Sequence, residues 1–371
     1  MRIDRIELQI IRLPLREPFR ISSGTAHRRR ILLLKLDAQG LRGYGECVAE
    51  NEPYYSAETV TTARYVLECF LIPAVIGREF ADAGALARAL ETRVRGHAMA
   101  KAAVEMAAWD LEAKLRDLPL ARLLGGTRAA VPVGVSLGIQ PALADLLERV
   151  QRYRAQGYRR IKLKIAPGWD VEVLRCVRER FPELPLTADA NAAYDASEHA
   201  RLKQLDEFGL LMLEQPFAAD DLLAHARLQA ELSTAVCLDE SITSRARCAE
   251  ALHLKSCRVV NIKPGRLGGH AAARAVHDLC QEAGVPVWCG GMLESGIGRA
   301  HNVALASLAN FRYPGDISAS DRYWERDVVD PPFALRADGT LAVPTGPGIG
   351  VRVDEDFLAA IQEERASFPP I

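Results

Sequence analysis

Apolar positions change their period along the chain. Within the first 50 residues lie three strand-like runs, "RIDRIELQII", "RRRILLLKLDA" and "RGYGECVA". They are parted by a loop carrying Gly, Pro and Ser and by a short polar turn, a pattern that predicts an antiparallel meander. The pattern then turns helical. Val104, Ala108, Leu111 and Leu115 share one face of "AKAAVEMAAWDLEAKLRD", an Ala-rich amphipathic helix stopped near Pro119. Together these predict an α+β first domain of roughly 125 residues. From "VPVGVSLG" onward, short apolar or β-branched runs ("RIKLKI", "LPLTADAN", "LLMLEQP", "AVCLDES", "VVNIKPG", "VPVWCGG") alternate with helical segments such as "WDVEVLRCVRERF" and "HAAARAVHDLCQEAG". Strand alternating with helix means parallel βαβ units.

These units repeat. Lys164 to Asp189, Asp189 to Glu214 and Glu214 to Asp239 are each 25 residues apart, and Asp239 to Lys263 is 24. One strand plus one helix per repeat of that length predicts a (β/α) barrel. An open doubly wound sheet is disfavoured, because no glycine-rich phosphate turn opens any of the helices. The glycines of "PTGPGIGV" follow no βα unit and make turns.

Composition narrows the partners. With 371 residues, 49% apolar and 26% charged, the chain suits a soluble globular protein with ample core. A formal charge of −1 gives no basic excess, so a small molecule is expected as partner rather than nucleic acid or an anionic membrane. The N-terminus, "MRIDRIELQIIRLPLREPF", is broken by charge every few residues and lacks both a signal-peptide core and a run able to span a bilayer, which leads to the expectation of a cytoplasmic protein. Eight cysteines without a CxxC pair indicate neither a zinc knuckle nor a disulfide framework, but reduced, mostly buried thiols.

The chemistry lies at the repeat positions, each at or near the C-terminal end of its strand, where barrel active sites form. Counting "VPVGVSL" as strand 1, Lys164 and Lys263 fall on strands 2 and 6, opposite each other in an eight-strand ring. Asp189, Glu214 and Asp239 line the arc between them. Three converging carboxylates would repel one another unless a cation is present. All-oxygen ligands favour a hard metal, Mg²⁺, with Mn²⁺ able to substitute. A carboxylate bound to such an ion has its α-C–H acidified, because the enediolate formed on deprotonation is stabilised by the metal and nearby cations.

A neutral lysine must take that proton, yet the free amine pKa is about 10.4. Lys162 stands on the same strand face as Lys164, about 7 Å away. At an effective dielectric of about 20 their repulsion is roughly 2 kcal/mol, between one and two pKa units, which would keep Lys164 deprotonated. Arg266, if it approaches Lys263, would act on it in the same way. Taken singly, these residues have blander readings: turn or N-cap aspartates, a solvated loop acid, edge-strand lysines. Five of them in phase with one βα period are not expected of a scaffold. Ser136 and Glu294 also point to the barrel mouth, as substrate contacts or as hydrogen-bonded structural groups. No histidine shows metal-ligand spacing.

"IKLKI", "DAN", "EQP", "LDES", "NIKPGRLGG" and "CGGMLESGIGRA" together resemble the enolase superfamily, in its muconate-lactonizing-enzyme subgroup. "PFRISSGT", "GECVAENEPYYS", "GVSLGI", "KLKIAPGWDVE", "PGDISASDRYW" and "PTGPGIGV" resemble, within it, the o-succinylbenzoate synthase / N-succinylamino acid racemase family. The resemblance implies a (β/α)7β TIM-like barrel over 126–320, an N-terminal α+β capping domain over 1–125, and a C-terminal segment, 321–371, packing back on the cap. It implies metal ligation by Asp189, Glu214 and Asp239 and acid/base roles for Lys164 and Lys263, with Lys162, Asn191, Glu240 and Arg266 in support.

Cap loops around Phe19 to Thr25 and near Tyr55 would close over the substrate. Phe19, Arg20, Tyr55, Ser136, Gly291, Met292 and Glu294 are the candidate substrate contacts. In synthases of the family the counterpart of Lys164 removes the α-proton and assists loss of hydroxide, while that of Lys263 stabilises the enediolate. In the racemases the two lysines act on opposite faces. The implied substrate is a carboxylate with a succinyl or N-acyl arm, the implied setting menaquinone biosynthesis, and the implied state a homo-oligomer. Mandelate-racemase-like members carry a histidine near the end of strand 7, where this chain has "VPVWCGGM". Dipeptide epimerases carry an Asp-x-Asp motif that "CGGMLES" lacks. A muconate-type cycloisomerase stays open on motifs alone, as does, from another class, a non-catalytic metal-binding barrel scaffold.

Overall fold

The structure, a computed structural model of the chain, describes residues 1–22 and 24–369. Ser23, inside the loop expected to close over the substrate, lies outside the described residues. The N-terminal sheet is antiparallel as expected, from β1 (Arg5–Ile21), β2 (Gly24–Ala38) and β3 (Leu41–Cys47). The strand Gln362–Phe368 joins it on the outer side of β1, so the C-terminus of the chain returns to the first sheet.

The pattern underestimated β1 and β2. The Gly/Pro/Ser stretch expected as a loop continues both strands into a long hairpin, with a register shift between Pro14 and Phe19 that accommodates the prolines. Beyond the shift the hairpin leaves the sheet and reaches the barrel. Glu17 pairs with Arg149 and Arg152, the Arg20 carbonyl accepts from the Ile139 N–H at 2.9 Å, and Ser22 Oγ donates to the Ala190 carbonyl at 3.4 Å.

The main helices of this part are α1 (Val60–Val66), α2 (Ala83–Arg93) and α3 (Ala98–Leu115). The α3 helix differs from its expected amphipathic form, being buried on every side from Met99 to Ala113. One flank packs on β3 and the other on the barrel, so no face is left for water. Its alanines let the strand approach closely: a Cβ on Gly43 or Gly45 would overlap the Ala107 or Ala103 carbonyl.

The second part is a curled parallel sheet of seven short strands, neighbours in sequence order: β4 (Val135–Leu137), β5 (Ile161–Lys164), β6 (Leu186–Asp189), β7 (Met212–Glu214), β8 (Val236–Leu238), β9 (Val259–Ile262) and β10 (Val287–Cys289). Residues 311–316 take the eighth place. Arg312 and Asp316 N–H groups bond to Val287 and Cys289 carbonyls, and Gly134 N–H bonds to Gly315, closing the ring between β10 and β4. Outside lie α4 (Leu143–Ala155), α5 (Val171–Arg180), α6 (His199–Lys203), α7 (Leu222–Glu231), α8 (Arg245–His253), α9 (His270–Glu282) and α10 (Gly296–Ala306). Among the described residues no helix is long and apolar enough to cross a membrane, and all eight cysteines are free, six of them buried.

Candidate active site

Alternation along β5 sends Arg160, Lys162 and Lys164 to the barrel interior while Ile161, Leu163 and Ile165 meet the surrounding helices. Arg160 lies deepest, over the Trp288 ring at 4.5 Å. Above it the cross-strand register puts Lys164 opposite Asp189, and Asp189 opposite Glu214. Lys162 and Lys164 share one oxygen, Asp189 Oδ2, at 2.9 and 2.6 Å. Lys162 also meets Glu214 Oε2 at 3.0 Å and Asp316 Oδ2 at 2.6 Å. Burial opposes its charge, but these three carboxylates outweigh it and hold its pKa well above the ordinary value. The lysine expected to serve as a fixed positive neighbour of Lys164 is therefore a cation in contact with the same aspartate.

Across the ring, Lys263 donates to Asp239 Oδ2 at 2.8 Å and to Tyr55 Oη at 3.2 Å. The Tyr55 hydroxyl in turn donates to Asp239 Oδ1 at 2.8 Å. Arg266 does reach this group, touching Asp239 and Tyr55 Oη. Its expected depressing effect on Lys263 is present but outweighed. Burial and Arg266 push the Lys263 ammonium down, yet the adjacent Asp239 charge prevails and raises it. On the near side Lys164 donates to Asn191 Oδ1 at 2.5 Å, and Asn191 Nδ2 donates to Glu240 Oε1 at 2.9 Å.

The acids titrate apart. Burial raises Asp189, but Lys162 and Lys164 overcome it and hold the carboxyl far below the usual range. Burial and the Asp189 charge push Glu214 up to about 8 against the pull of Lys162. Glu240 rises to about 7 through burial beside Asp239. Asp189, Glu214 and Asp239 are all fully buried, and one oxygen of each meets a lysine. Among the described residues no three His, Cys, Asp or Glu side chains stand with metal-binding spacing. As a donor set the three acids are all-oxygen and mutually repelling, which suits a hard divalent cation.

A cavity of about 480 Å³ opens above the lysines, between the β1–β2 hairpin and the loop before α1. Phe19, Tyr55, Ser136, Gly291 and Met292 line it, as do Lys162, Lys164, Asn191 and Lys263. Among the described residues Ser136 Oγ is buried there without a partner. Two candidates stand elsewhere. Arg20 is exposed and meets the barrel through its backbone carbonyl, and Glu294 is turned into α10, accepting from Asn302 Nδ2 at 2.9 Å.

Two residues of the site went unassigned from sequence. Asn261 donates to Glu214 Oε1 at 2.7 Å. It stands two residues before Lys263, as Lys162 stands before Lys164, so the same alternation argument reaches it. Asp316, in "PGDIS", bridges Lys162 and Arg160, and no periodic signal marks it.

A closed ring of parallel strands, capped by a strand-rich domain and carrying basic and acidic side chains at its C-terminal rim, defines an enzyme of the capped (β/α)-barrel class. Residues 5–125 match the mandelate racemase / muconate lactonizing enzyme N-terminal domain, and residues 145–357 match the enolase C-terminal domain-like family. The chain belongs to the enolase superfamily, in its mandelate racemase / muconate lactonizing enzyme branch. It is 53% identical to an N-succinylamino acid racemase of Thermus thermophilus over 97% of both chains. With an o-succinylbenzoate synthase of Geobacillus stearothermophilus it shares 52% identity over 95% of this chain and 94% of that one. A chloromuconate cycloisomerase of Cupriavidus pinatubonensis is more distant, at 29% over 96% and 98%. Among solved structures, an enolase-superfamily protein of Listeria innocua superposes with a TM-score of 0.95 at 41% identity, covering 100% of this chain and 99% of that one.

Proposed function

We propose that the chain removes the α-proton of a carboxylate substrate bearing a succinyl or N-acyl arm, as an o-succinylbenzoate synthase, an N-succinylamino acid racemase, or both. The observation that carries this is the pair of buried lysines, Lys164 on β5 and the residue after β9, Lys263, facing one cavity from opposite sides of the barrel. Relatives at about half identity carry both names, whereas the cycloisomerase is far more distant.

Asp189, Glu214 and Asp239 would hold a divalent metal, Mg²⁺ in this reading. When bound it would supply Lewis-acid acidification of the α-C–H of a coordinated carboxylate. The chain's residues do the rest. Lys164 takes the α-proton from one face and Lys263 stands at the other, where it returns a proton in racemisation or faces the developing negative charge in dehydration. In dehydration the β-hydroxyl departs with a proton from Lys164, so the α-proton and hydroxide leave together as water. Lys162 keeps a positive charge beside Lys164. Phe19 and Met292 exclude water from the reacting carbon, and Ser136 Oγ, unpaired among the described residues, offers a hydrogen-bonding group to the arm. A homo-oligomeric, cytoplasmic enzyme belongs to the same proposal.

The test is proton NMR in D₂O with Mg²⁺ and one enantiomer of N-succinylphenylalanine, beside a dehydration assay on the cyclohexadiene precursor of o-succinylbenzoate. Activity in either assay should be abolished by a chelator, restored by Mg²⁺ or Mn²⁺, and lost in Lys164→Ala. Inactivity on both substrates with metal present would refute the reading.

A further inference from the structure

One buried acid of the cap takes no part in this chemistry. Glu105, 1% exposed, lies midway along α3 and closes on the barrel. Its Oε2 accepts from the His270 N–H at 2.8 Å, and its Oε1 accepts from the Ala271 N–H at 2.8 Å and from Trp109 Nε1 at 2.6 Å. His270 opens α9, whose first N–H groups lack intrahelical partners and whose positive end favours a carboxylate. Gly269 has a φ of 121°, and a Cβ there would overlap the Glu105 carboxylate, so the glycine is what admits the acid.

The start of α9 and Lys263 are the two ends of one hydrogen-bonded turn. Leu267 N–H bonds back to the Lys263 carbonyl at 3.2 Å and Gly269 N–H to Pro264 at 2.8 Å. The cap grips the same turn twice more: Val48 packs where a Cβ on Gly265 would sit, and Tyr55 Oη meets Lys263 and Arg266. Lys164 is held differently, by Asp189 and Asn191 of the barrel itself.

We propose that Glu105 is a positioning residue for Lys263: by fixing the N-terminus of α9 it sets where the second lysine stands, so this contact of the cap acts on proton transfer at one face of the substrate. This rests on the two-lysine reading above. Racemisation has an equilibrium constant of one, which forces kcat/KM for inversion to be equal in both directions. The discriminating readout is therefore α-proton exchange with D₂O, followed separately from inversion for each enantiomer of N-succinylphenylalanine. The enantiomer that still exchanges in Lys263→Ala is the one facing Lys164.

Glu105→Gln places an amide N–H₂ against N–H donors. Exchange of the Lys263-facing enantiomer should fall by on the order of 10-fold to 100-fold, as expected for a displaced catalytic group, with the other enantiomer within about twofold of wild type. The Lys164-facing enantiomer should then exchange faster than it inverts. Glu46→Gln is the control for general loosening. Glu46 holds the start of α10 in the same fashion, accepting from Ser295 N–H, Ser295 Oγ and Gly298 N–H at 3.1, 2.6 and 3.0 Å, but away from Lys263. Its loss should slow both enantiomers alike. Where Glu105→Gln fails to fold, Trp109→Phe, which removes one of the three donors, decides in its place. An equal loss on both faces, or none, overturns the proposal. Absence of exchange for both enantiomers in the wild type would sink the racemase reading and the inference with it.

Discussion

Asp316 offers a prediction whose size follows from its surroundings. It is 7% exposed and bridges Arg160, which is fully buried, and Lys162. Lys162 keeps two other carboxylates, Asp189 and Glu214, when Asp316 loses its charge. Arg160 does not: among the described residues Asp316 is the one acid in contact with it, its other neighbours being Thr187 Oγ1 at 3.4 Å and the Trp288 ring. Asp316→Asn therefore leaves a buried guanidinium without a counter-charge, a defect that costs about 3–5 kcal/mol. An unfolding entropy of about 2.1 cal/mol/K per residue over 371 residues gives roughly 0.8 kcal/mol/K, so Tm should fall by about 4–6 °C.

Burial raises the Asp316 carboxyl, but Arg160 and Lys162 prevail and depress it. Its contribution is therefore present above the unfolded-state carboxyl pKa and is lost as pH falls through the lower folded value. The difference between wild type and variant should be full at pH 7 and shrink below about pH 4. Urea unfolding at both pH values, with the Arg160→Met/Asp316→Asn double variant, completes the assay. The double variant should recover most of the loss, since removing both charges removes the unpaired one. A single-variant loss under about 1 kcal/mol, or no recovery in the double variant, would refute the ion-pair account.

Other outcomes follow from contacts of the same kind. Tyr55→Phe strips Asp239 and Lys263 of a hydroxyl that touches charged groups, worth about 1.5–3 kcal/mol, so kcat/KM should drop roughly 10-fold to 150-fold. A change under about threefold would show that the hydroxyl is idle. Glu17→Gln releases the hairpin from Arg149 and Arg152, partly exposed pairs worth about 0–1 kcal/mol each, so KM should rise severalfold with kcat nearly unchanged. That effect should fade at high salt, and a fall in kcat alone would contradict it. Asp170 caps α5 and accepts from Arg201, which holds its carboxyl down although burial opposes this. Asn caps a helix about as well as Asp, so Asp170→Asn removes chiefly the charge facing Arg201 and the helix start and should cost about 1 kcal/mol at pH 7 by urea titration, a cost that should diminish as pH falls below the usual carboxylate range. A cost that persists at low pH would point to packing instead of charge.

What was legible in the chain is what short-range periodicity writes. Period-two alternation put Lys162 and Lys164 on one face, and the βα repeat brought Lys164, Asp189 and Glu214 into one register, where the structure has them adjacent. Asn261 obeys the same rule and could have been found with it. The remainder depends on partners far away in sequence. The eighth barrel position is held by a few hydrogen bonds around Gly315 rather than by a run of β-formers, so Asp316 carries no pattern. The hairpin beyond Pro14 alternates exposed and half-buried because it lies over another domain, and its prolines read locally as a loop. Glu105 and Glu46 are the clearest case. In a window such as "AAVEMAAW" a glutamate looks like the wet side of a helix, and only the barrel helix that ends against it makes the charge useful. Residues that generate the chemistry must sit at fixed places on strands and so leave a period. Residues that tie the cap to the barrel answer to whatever surface faces them, and leave none.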